Sequence, residues 1–251
     1  MEPKKNIQDC NQGPGIEFSM AVLCYRSEKE IIPFIEKLHH VMNLFRFKWE
    51  IVLVANYWNN SKDLTPEIAK KLSEKLDHVR YIAESKEGGM GWDMKMGLDA
   101  CQGKYIGVID GDGQFPVENI FSCFAKIKSE NYDFVKTYRV FRKDGIYRSI
   151  ISIGYNYFFK ILYPKYRGFH DVNGKPKIIK REVYDKMELN TTDWFLDAEL
   201  IINAMQMNLR IAELPVKFES LHGRGSFVKF GALLEFAKNL FKYRFKKQSI
   251  K

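Results

Sequence analysis

Residues 104–118, KYIGVIDGDGQFPVE, constrain this chain more than any other stretch. Tyr105, Ile106, Val108 and Ile109 form a short apolar run that stops at Asp110, Gly111, Asp112, Gly113 and Gln114. Such a run predicts a buried strand that delivers carboxylates to its end. Two Asp one residue apart, with Gly between and after them, let the backbone bend so that both side chains turn toward one divalent cation. Hard oxygen ligands suit Mg²⁺ or Mn²⁺, which in turn holds a diphosphate. In isolation, an Asx-rich turn closing a strand is the more ordinary explanation of Asp-x-Asp.

The rest of the chain supplies the setting. Apolar runs at 18–24, 49–55, 79–83 and 105–109 predict strands. Helical periodicity fills the intervals, with Ile31, Ile32, Ile35, Leu38 and Val41 on one face, and further helices at 66–76, where Thr65-Pro66 marks the start, and 91–101. Strands alternating with helices predict βαβ units, an α/β fold and a mainly parallel central sheet flanked by helices. Ligands in such sheets sit at the carboxyl ends of the strands, where Tyr25, Asn56, Gly88 and Asp110 would gather. Residues 1–15 are polar and read as a loose arm. Downstream, 117–129, 150–163 and 194–208 are predicted as helices and 134–138 as a strand. Residues 229–251, carrying Lys229, Lys238, Lys242, Arg244, Lys246 and Lys247 beside Phe230, Leu233, Leu234, Leu240 and Phe241, are predicted as a basic amphipathic helix.

At 251 residues the chain is long enough for one large domain with a substantial core. Its formal net charge of +9 calls for an anionic partner: nucleic acid, anionic lipid or a phosphorylated substrate. No known nucleic-acid module is recognisable, which argues against the first. No apolar run reaches the roughly 18 residues a membrane-spanning helix needs, and no signal peptide opens the sequence. The expected location is cytoplasmic, at the cytosolic face of a membrane. The four cysteines lack Cys-x-x-Cys spacing, so neither a zinc site nor a disulfide framework is indicated.

The longer string Asp-Gly-Asp-Gly-Gln-x-Pro-x-Glu, preceded by Gly-Lys-Tyr, resembles the metal-binding motif of family 2 glycosyltransferases. Within them it is most similar to the dolichyl- and undecaprenyl-phosphate sugar transferases, in which the Gln belongs to the motif. The resemblance implies a GT-A, Rossmann-like nucleotide-sugar fold over 16–228, with Mn²⁺ or Mg²⁺ held by Asp112 and Gln114 and with Asp110 contacting the nucleotide or, through water, the metal. Residues 18–30 look like the opening strand and Tyr-Asn-Glu turn of these enzymes, which implicates Tyr25 and Glu28, although Arg26 stands where Asn is usual. Residues 86–100, with Gly88, Gly89, Gly91 and Gly97, resemble their glycine-containing loop. Such a loop can admit a diphosphate or serve turn geometry alone. One departure is clear: the second strand normally ends in Asp-Asp-Gly-Ser-x-Asp, whereas here it reads Ala55, Asn56, Tyr57, Trp58, Asn59, Asn60. Asn56 is then the candidate reader of the base edge, with Tyr57 or Trp58 stacking on it.

The second half carries the acceptor side. Arg139, Arg142, Lys143 and Arg148 form a cationic cluster whose default reading is a solvated loop. The resemblance assigns Arg139 and Arg148 to phosphate. Residues 171–182 are similar to the family's Asp-x-x-Gly-Phe-(apolar)-Arg-Arg segment, with Pro176 as a departure. Asp197 and Glu199 precede an Arg-Ile-x-Glu-x-Pro-Val pattern at 210–216. Glu199 is expected to order the acceptor loop or a phosphate-binding arginine, and Asp197 stands where hydroxyl-accepting relatives place a general base. His222, Gly223, Arg224, Gly225 and Ser226 resemble a compressed Arg-x-x-Gly-x-Ser loop, making Arg224 and Ser226 donor-phosphate candidates. The implied reaction is inverting transfer of a sugar from a nucleoside diphosphate to a polyprenyl phosphate. Transfer to a carbohydrate hydroxyl and a non-catalytic nucleotide-sugar binding module are the alternatives.

Overall fold

The computed structural model describes residues 15–142, 146–218 and 238–244, except for the side chains of 141–150. Among the described residues seven strands form one sheet in the order β3-β2-β1-β4-β6-β5-β7. They are β1 (Phe18–Leu23), β2 (Trp49–Val54), β3 (Val79–Ile82), β4 (Tyr105–Asp110), β5 (Phe134–Arg142), β6 (Lys177–Lys180) and β7 (Ile211–Phe218). The first four run parallel, as the alternating pattern predicts. β6 lies antiparallel between β4 and β5, and β5 pairs with β7 in parallel. The short β6, KIIK, carries no strand signal of its own in the sequence, because lysines flank only two apolar residues.

The sheet is covered on both faces, which is why β1 and β2 are apolar at all but one position each, Ser19 and Glu50, rather than at every second one. Phe18, Met20 and Val22 of β1 point to the face covered by α1 (Ile31–Met42), α2 (Thr65–Lys75) and α4 (Glu118–Ser129). Ala21 and Leu23 point to the other, packed with α3 (Met90–Ala100), α5 (Ile146–Leu162) and α7 (Leu196–Gln206). The four-residue α6 (Arg181–Tyr184) follows β6. Cys24, Cys101 and Cys123 are free and buried, as expected of plain packing. Residues 238–244 are helical: Leu240 is buried, and Asn239 Nδ2 donates to Asp193 Oδ2 at 3.0 Å. Residues 1–14 of the arm predicted at 1–15, and most of 229–251, lie outside the described residues.

α5 has two faces. Tyr155 and Phe159 enter the core, whereas Ile153, Tyr157 and Ile161, each one turn from the next, are 69%, 68% and 54% exposed. Phe241, 46% exposed, sits beside Phe158 of the same helix with ring centroids 5.4 Å apart. Among the described residues no helix is long and apolar enough to cross a membrane.

Candidate active site

Parallel pairing aligns the ends of the strands, and Leu23, Val54 and Asp110 lie in one row across β1, β2 and β4. Immediately beyond that row come Tyr25, Asn56 and, after β3, Lys86. The chain therefore collects these residues at the carboxyl edge of the sheet.

At the end of β4 the backbone turns sharply. Gly113 takes a φ of +76°, a conformation that costs glycine nothing, and the Gln114 N–H donates to Asp112 Oδ1 at 3.0 Å. A side chain at Gly111 would meet Ile31 at 2.5 Å. Asp112 and Gln114 thus share one tight turn and offer hard oxygen donors, a set that fits Mg²⁺ or Mn²⁺. Among the described residues no group of three or more His, Cys, Asp or Glu is disposed to hold a metal. That small donor set suits a cation of this type, which takes one or two carboxylates and completes its shell with substrate phosphates and water.

Asp110 differs from its neighbour. Its carboxylate accepts from Lys175 Nζ at 3.0 and 3.2 Å. Strand register explains the meeting. The antiparallel ladder pairs Val108 with Lys177 and Gly107 with Ile178, so continuing it by two residues places Lys175 opposite Asp110. Lys175 Nζ also lies 3.4 Å from Asp197, which Lys177 Nζ bonds at 2.5 Å. Burial works against the charge on Lys175, yet Asp110 and Asp197 hold its pKa above the ordinary lysine value. Burial alone would raise Asp197, but Lys175 and Lys177 pull its pKa below the usual carboxylate range. Lys177 is drawn down to about 8 by burial despite Asp197.

The ionic set continues into the sheet. Lys177, Lys136 and Glu213 form one row across β6, β5 and β7. Lys136 Nζ donates to Glu213 and to the Asp171 carbonyl, and Glu213 accepts from the His170 N–H at 2.7 Å. Arg139 Nε and Nη2 donate to the two oxygens of Asp171 at 2.5 and 2.8 Å. Burial opposes ionisation of Asp171, but the Arg139 guanidinium holds it far below the ordinary range. Thr137 Oγ1 donates to the Lys175 carbonyl at 2.5 Å, and Asn156 Oδ1 accepts from the Val172 N–H at 2.9 Å. The loop leading into β6 is thereby fixed at both backbone and side chains.

On the nucleotide side the structure revises the expected role of Asn56. The side chain is 1% exposed; Nδ2 donates to Asp93 Oδ1 at 2.9 Å and to Met96 sulfur at 3.4 Å, and Oδ1 accepts from the Glu84 N–H at 2.8 Å. Its donors are engaged within the protein, so it shapes the strand end rather than presenting an amide to a base edge. Asp93 also pairs with Lys86, and desolvation raises its pKa against the pull of Lys86 and Asn56. Lys86 Nζ lies 4.7 Å from the Tyr25 ring centroid and 5.9 Å from that of Trp58, which is 45% exposed. Tyr25, Trp58 and Lys86 therefore border one place, consistent with a stacking wall. Glu28 is exposed, and its N–H donates to Thr65 Oγ1 at 2.9 Å.

The glycine loop serves packing. A Cβ at Gly91 would lie 2.2 Å from the Asp193 carbonyl oxygen, and one at Gly88 2.9 Å from Thr192 Cβ. The Trp92 N–H donates to the Thr192 carbonyl at 3.0 Å. Close approach of residues 192–193 accounts for these glycines, and the second arm of that contact is held by Glu199. Glu199 is fully buried and accepts from the Asn190 N–H at 2.8 Å, the Thr191 N–H at 2.9 Å and Thr191 Oγ1 at 2.6 Å. Its carboxylate thus holds the backbone of residues 190–191.

Asp197 does not fit the role of general base. It is 2% exposed and ion-paired with two lysines, and a carboxylate whose pKa is depressed is a weak proton acceptor. Arg139 is anchored to Asp171 and lies over the Phe218 ring at 5.3 Å. The Arg148 side chain, Arg224 and Ser226 lie outside the described residues. Sequence reading overlooked Lys175, Lys86 and Asp93: Lys175 meets Asp110 from 65 positions away and Asp93 meets Asn56 from 37, whereas Lys86 and Asp93, seven apart, carry no motif of their own; the lysine at the Pro176 departure was the visible signal for the first.

The family model for glycosyl transferase family 2 matches residues 19–188. Dodecaprenyl-phosphate galacturonate synthase of Rhizobium johnstonii is 27% identical over 193 residues, covering 75% of this chain and 54% of that protein. Dolichyl-phosphate beta-glucosyltransferase of Dictyostelium discoideum is 24% identical, covering 80% of this chain and 64% of that protein. The chain thus spans between half and two thirds of the length of these two relatives. The human dolichyl-phosphate beta-glucosyltransferase is 24% identical over 94% of this chain and 78% of its own length. Among solved structures, glucosyl-3-phosphoglycerate synthase from Mycobacterium tuberculosis, in complex with Mn²⁺, UDP-glucose and phosphoglyceric acid, superposes with a TM-score of 0.70 at 15% identity, covering 92% of this chain and 80% of that one. Mannosyl-3-phosphoglycerate synthase from Rubrobacter xylanophilus gives a TM-score of 0.69 at 16% identity, covering 94% and 78%. The fold is the GT-A fold of these enzymes, and the matched domain, with Asp110, Asp112 and Gln114 at the end of its fourth strand, places the chain in glycosyl transferase family 2.

Proposed function

We propose that this protein transfers a sugar, with inversion, from a nucleoside-diphosphate sugar to a polyprenyl phosphate. The observation that carries the proposal is the Asp112–Gln114 turn at the carboxyl edge of the sheet, in a chain similar over most of its length to polyprenyl-phosphate sugar transferases. Asp112 and Gln114 would hold Mn²⁺ or Mg²⁺, which when bound supplies positive charge to the leaving diphosphate. Tyr25, Trp58 and Lys86 would wall the nucleoside. Glu199 holds the 190–193 loop, and Arg139 and Asp171 brace the segment leading into β6, so the acceptor would meet a preformed surface.

Burial of Asp197 favours this acceptor over a carbohydrate hydroxyl. A hydroxyl needs a base to take its proton, whereas an ionised phosphate is already a nucleophile. The exposed stripe of Ile153, Tyr157 and Ile161, with Phe241 alongside and the exposed Lys242 and Arg244 nearby, supports peripheral contact with an anionic membrane surface carrying the lipid.

The test is release of nucleoside diphosphate from a panel of UDP- and GDP-sugars with Mn²⁺ or Mg²⁺, with and without a short polyprenyl phosphate. Release that requires the lipid and vanishes in Asp112→Ala is the expected result. Metal-dependent release that ignores the lipid would refute the acceptor assignment, and no release from any donor would favour a binding module.

A further inference from the structure

The helix at 238–244 faces two ways. Inward, Leu240 is fully buried, the Tyr243 ring lies 5.1 Å from that of Phe195, and Asn239 Nδ2 donates to Asp193 Oδ2 at 3.0 Å. Asp193 Oδ1 accepts from the Phe195 N–H at 2.7 Å, so one carboxylate joins this helix to the segment entering α7. The backbone of residues 192–193 lies in turn on the glycine loop: the Trp92 N–H donates to the Thr192 carbonyl, and Gly91 leaves no room for a side chain beside Asp193. The next residue, Asp93, holds Lys86 beside the Tyr25 and Trp58 rings. The contacts Asn239 to Asp193, Thr192 to Trp92 and Asp93 to Lys86 therefore lead from the helix to the proposed nucleoside wall.

Outward, the helix exposes Lys238 and Lys242, one turn apart, and Arg244. The contact between Phe241 and Phe158 sets it beside α5, whose Ile153, Tyr157 and Ile161 are exposed. Neither 146–166 nor 238–244 contains an aspartate or a glutamate. Cations around exposed aliphatic and aromatic side chains, with no carboxylate among them, match an anionic membrane interface. Nucleic acid would leave the aliphatic side chains in water.

We infer that an anionic membrane surface regulates the donor site through the 238–244 helix, with Asn239 as the positioning residue. A short helix held by a single fully buried leucine is locally weak. Seated beside α5, it adds its cations to the apolar stripe and completes one docking surface; unseated, it does not. The membrane thus binds the seated state more tightly, which is the differential affinity a population shift requires. The seated helix holds residues 192–193 on the glycine loop, and through Asp93 and Lys86 it steadies the nucleoside wall. By linkage, a bound nucleoside diphosphate must tighten membrane binding by the same factor.

This inference rests on the proposed donor and membrane readings, and the experiment separates the three. Affinities for UDP and GDP with MnCl₂ are measured by equilibrium dialysis without vesicles, with phosphatidylcholine vesicles, and with vesicles that also contain phosphatidylglycerol, all free of polyprenyl phosphate. Co-sedimentation with the same vesicles is measured with and without nucleotide. Anionic vesicles should tighten nucleotide binding on the order of fivefold, neutral ones should leave it unchanged, and nucleotide should tighten vesicle binding by the same factor. Asn239→Leu, with folding checked by circular dichroism, should still sediment with anionic vesicles but lose the mutual tightening. A natural chain that sediments with anionic vesicles yet binds nucleotide equally with and without them would overturn the inference, a result that needs no variant. A folded Asn239→Leu that keeps the full effect would overturn it too. No sedimentation with anionic vesicles would refute the membrane reading, no nucleotide binding under any condition would refute the donor reading, and the inference falls with either.

Discussion

Replacing Glu199 with Gln tests how the 190–193 loop is held. The buried carboxylate accepts three hydrogen bonds, one at Oε1 from the Asn190 N–H and two at Oε2 from Thr191. A glutamine can keep its carbonyl oxygen toward Thr191, but its amide nitrogen then faces the Asn190 N–H, donor against donor. One charge-assisted bond is lost, each being worth ~1.5–3 kcal/mol, and a partly buried N–H is left unpaired at ~1–3 kcal/mol. Some of this is recovered by local relaxation, so a net loss of about 3 kcal/mol is expected. For a chain of this size that lowers the thermal midpoint by about 6–12 °C. Hydrogen exchange should show faster exchange at the amides of Asn190 and Thr191. Because residues 192–193 pack on Gly88 and Gly91, turnover should fall as well. A variant melting within about 2 °C of the natural chain, with unchanged exchange at these two amides, would show that Glu199 does not organise the loop.

Acid should uncouple the buried ion pairs. Asp171 and Asp197 have folded pKa values lowered from 3.8, so their stabilisation is complete above that value and is lost as pH falls through the lower folded values. The thermal midpoint should hold between about pH 5 and 6 and drop below about pH 4; Asp171→Asn should start lower and drop less over the same interval. On the membrane side, Ile153→Glu combined with Tyr157→Glu should abolish co-sedimentation with vesicles containing anionic lipid, while leaving the thermal midpoint within about 2 °C, because both side chains are exposed. Undiminished co-sedimentation would remove α5 from the docking surface.

Much of the fold is legible because its signals are local. The strands β1 to β4 announce themselves as apolar runs, and the Asp-Gly-Asp-Gly-Gln turn is contiguous, so both strand and candidate site emerge from one stretch. Glu199 is singled out in the sequence by its place in a helix before an Arg-Ile-x-Glu-x-Pro-Val pattern. What escaped reading depends on register. Lys175 meets Asp110 across 65 positions because an antiparallel strand enters beside β4, and KIIK gives no hint of that strand. Asn56 looks like a polar residue poised at a strand end until Asp93 arrives from 37 positions away and takes its amide. Pairings of this kind are fixed by tertiary geometry, and no periodicity encodes them. The glycines at 88 and 91 illustrate the same limit: their sequence is compatible with a phosphate cradle, and their neighbours in space are a loop of the protein itself.

The antiparallel entry of β6 also governs how this scaffold can be rebuilt. The segment ahead of β6 begins at the carboxyl edge of the sheet and runs away from it, so Lys175 and Lys177 are set by counting backwards from the Ile178–Gly107 pair. Inserting one residue between Lys177 and Ile178 would turn both side chains to the opposite face of the pleat. A chimera that exchanges residues 170–177 for those of a relative can therefore vary its composition widely, but it must conserve length. In this scaffold the spacing to β6 is as much a part of the candidate site as the acidic turn.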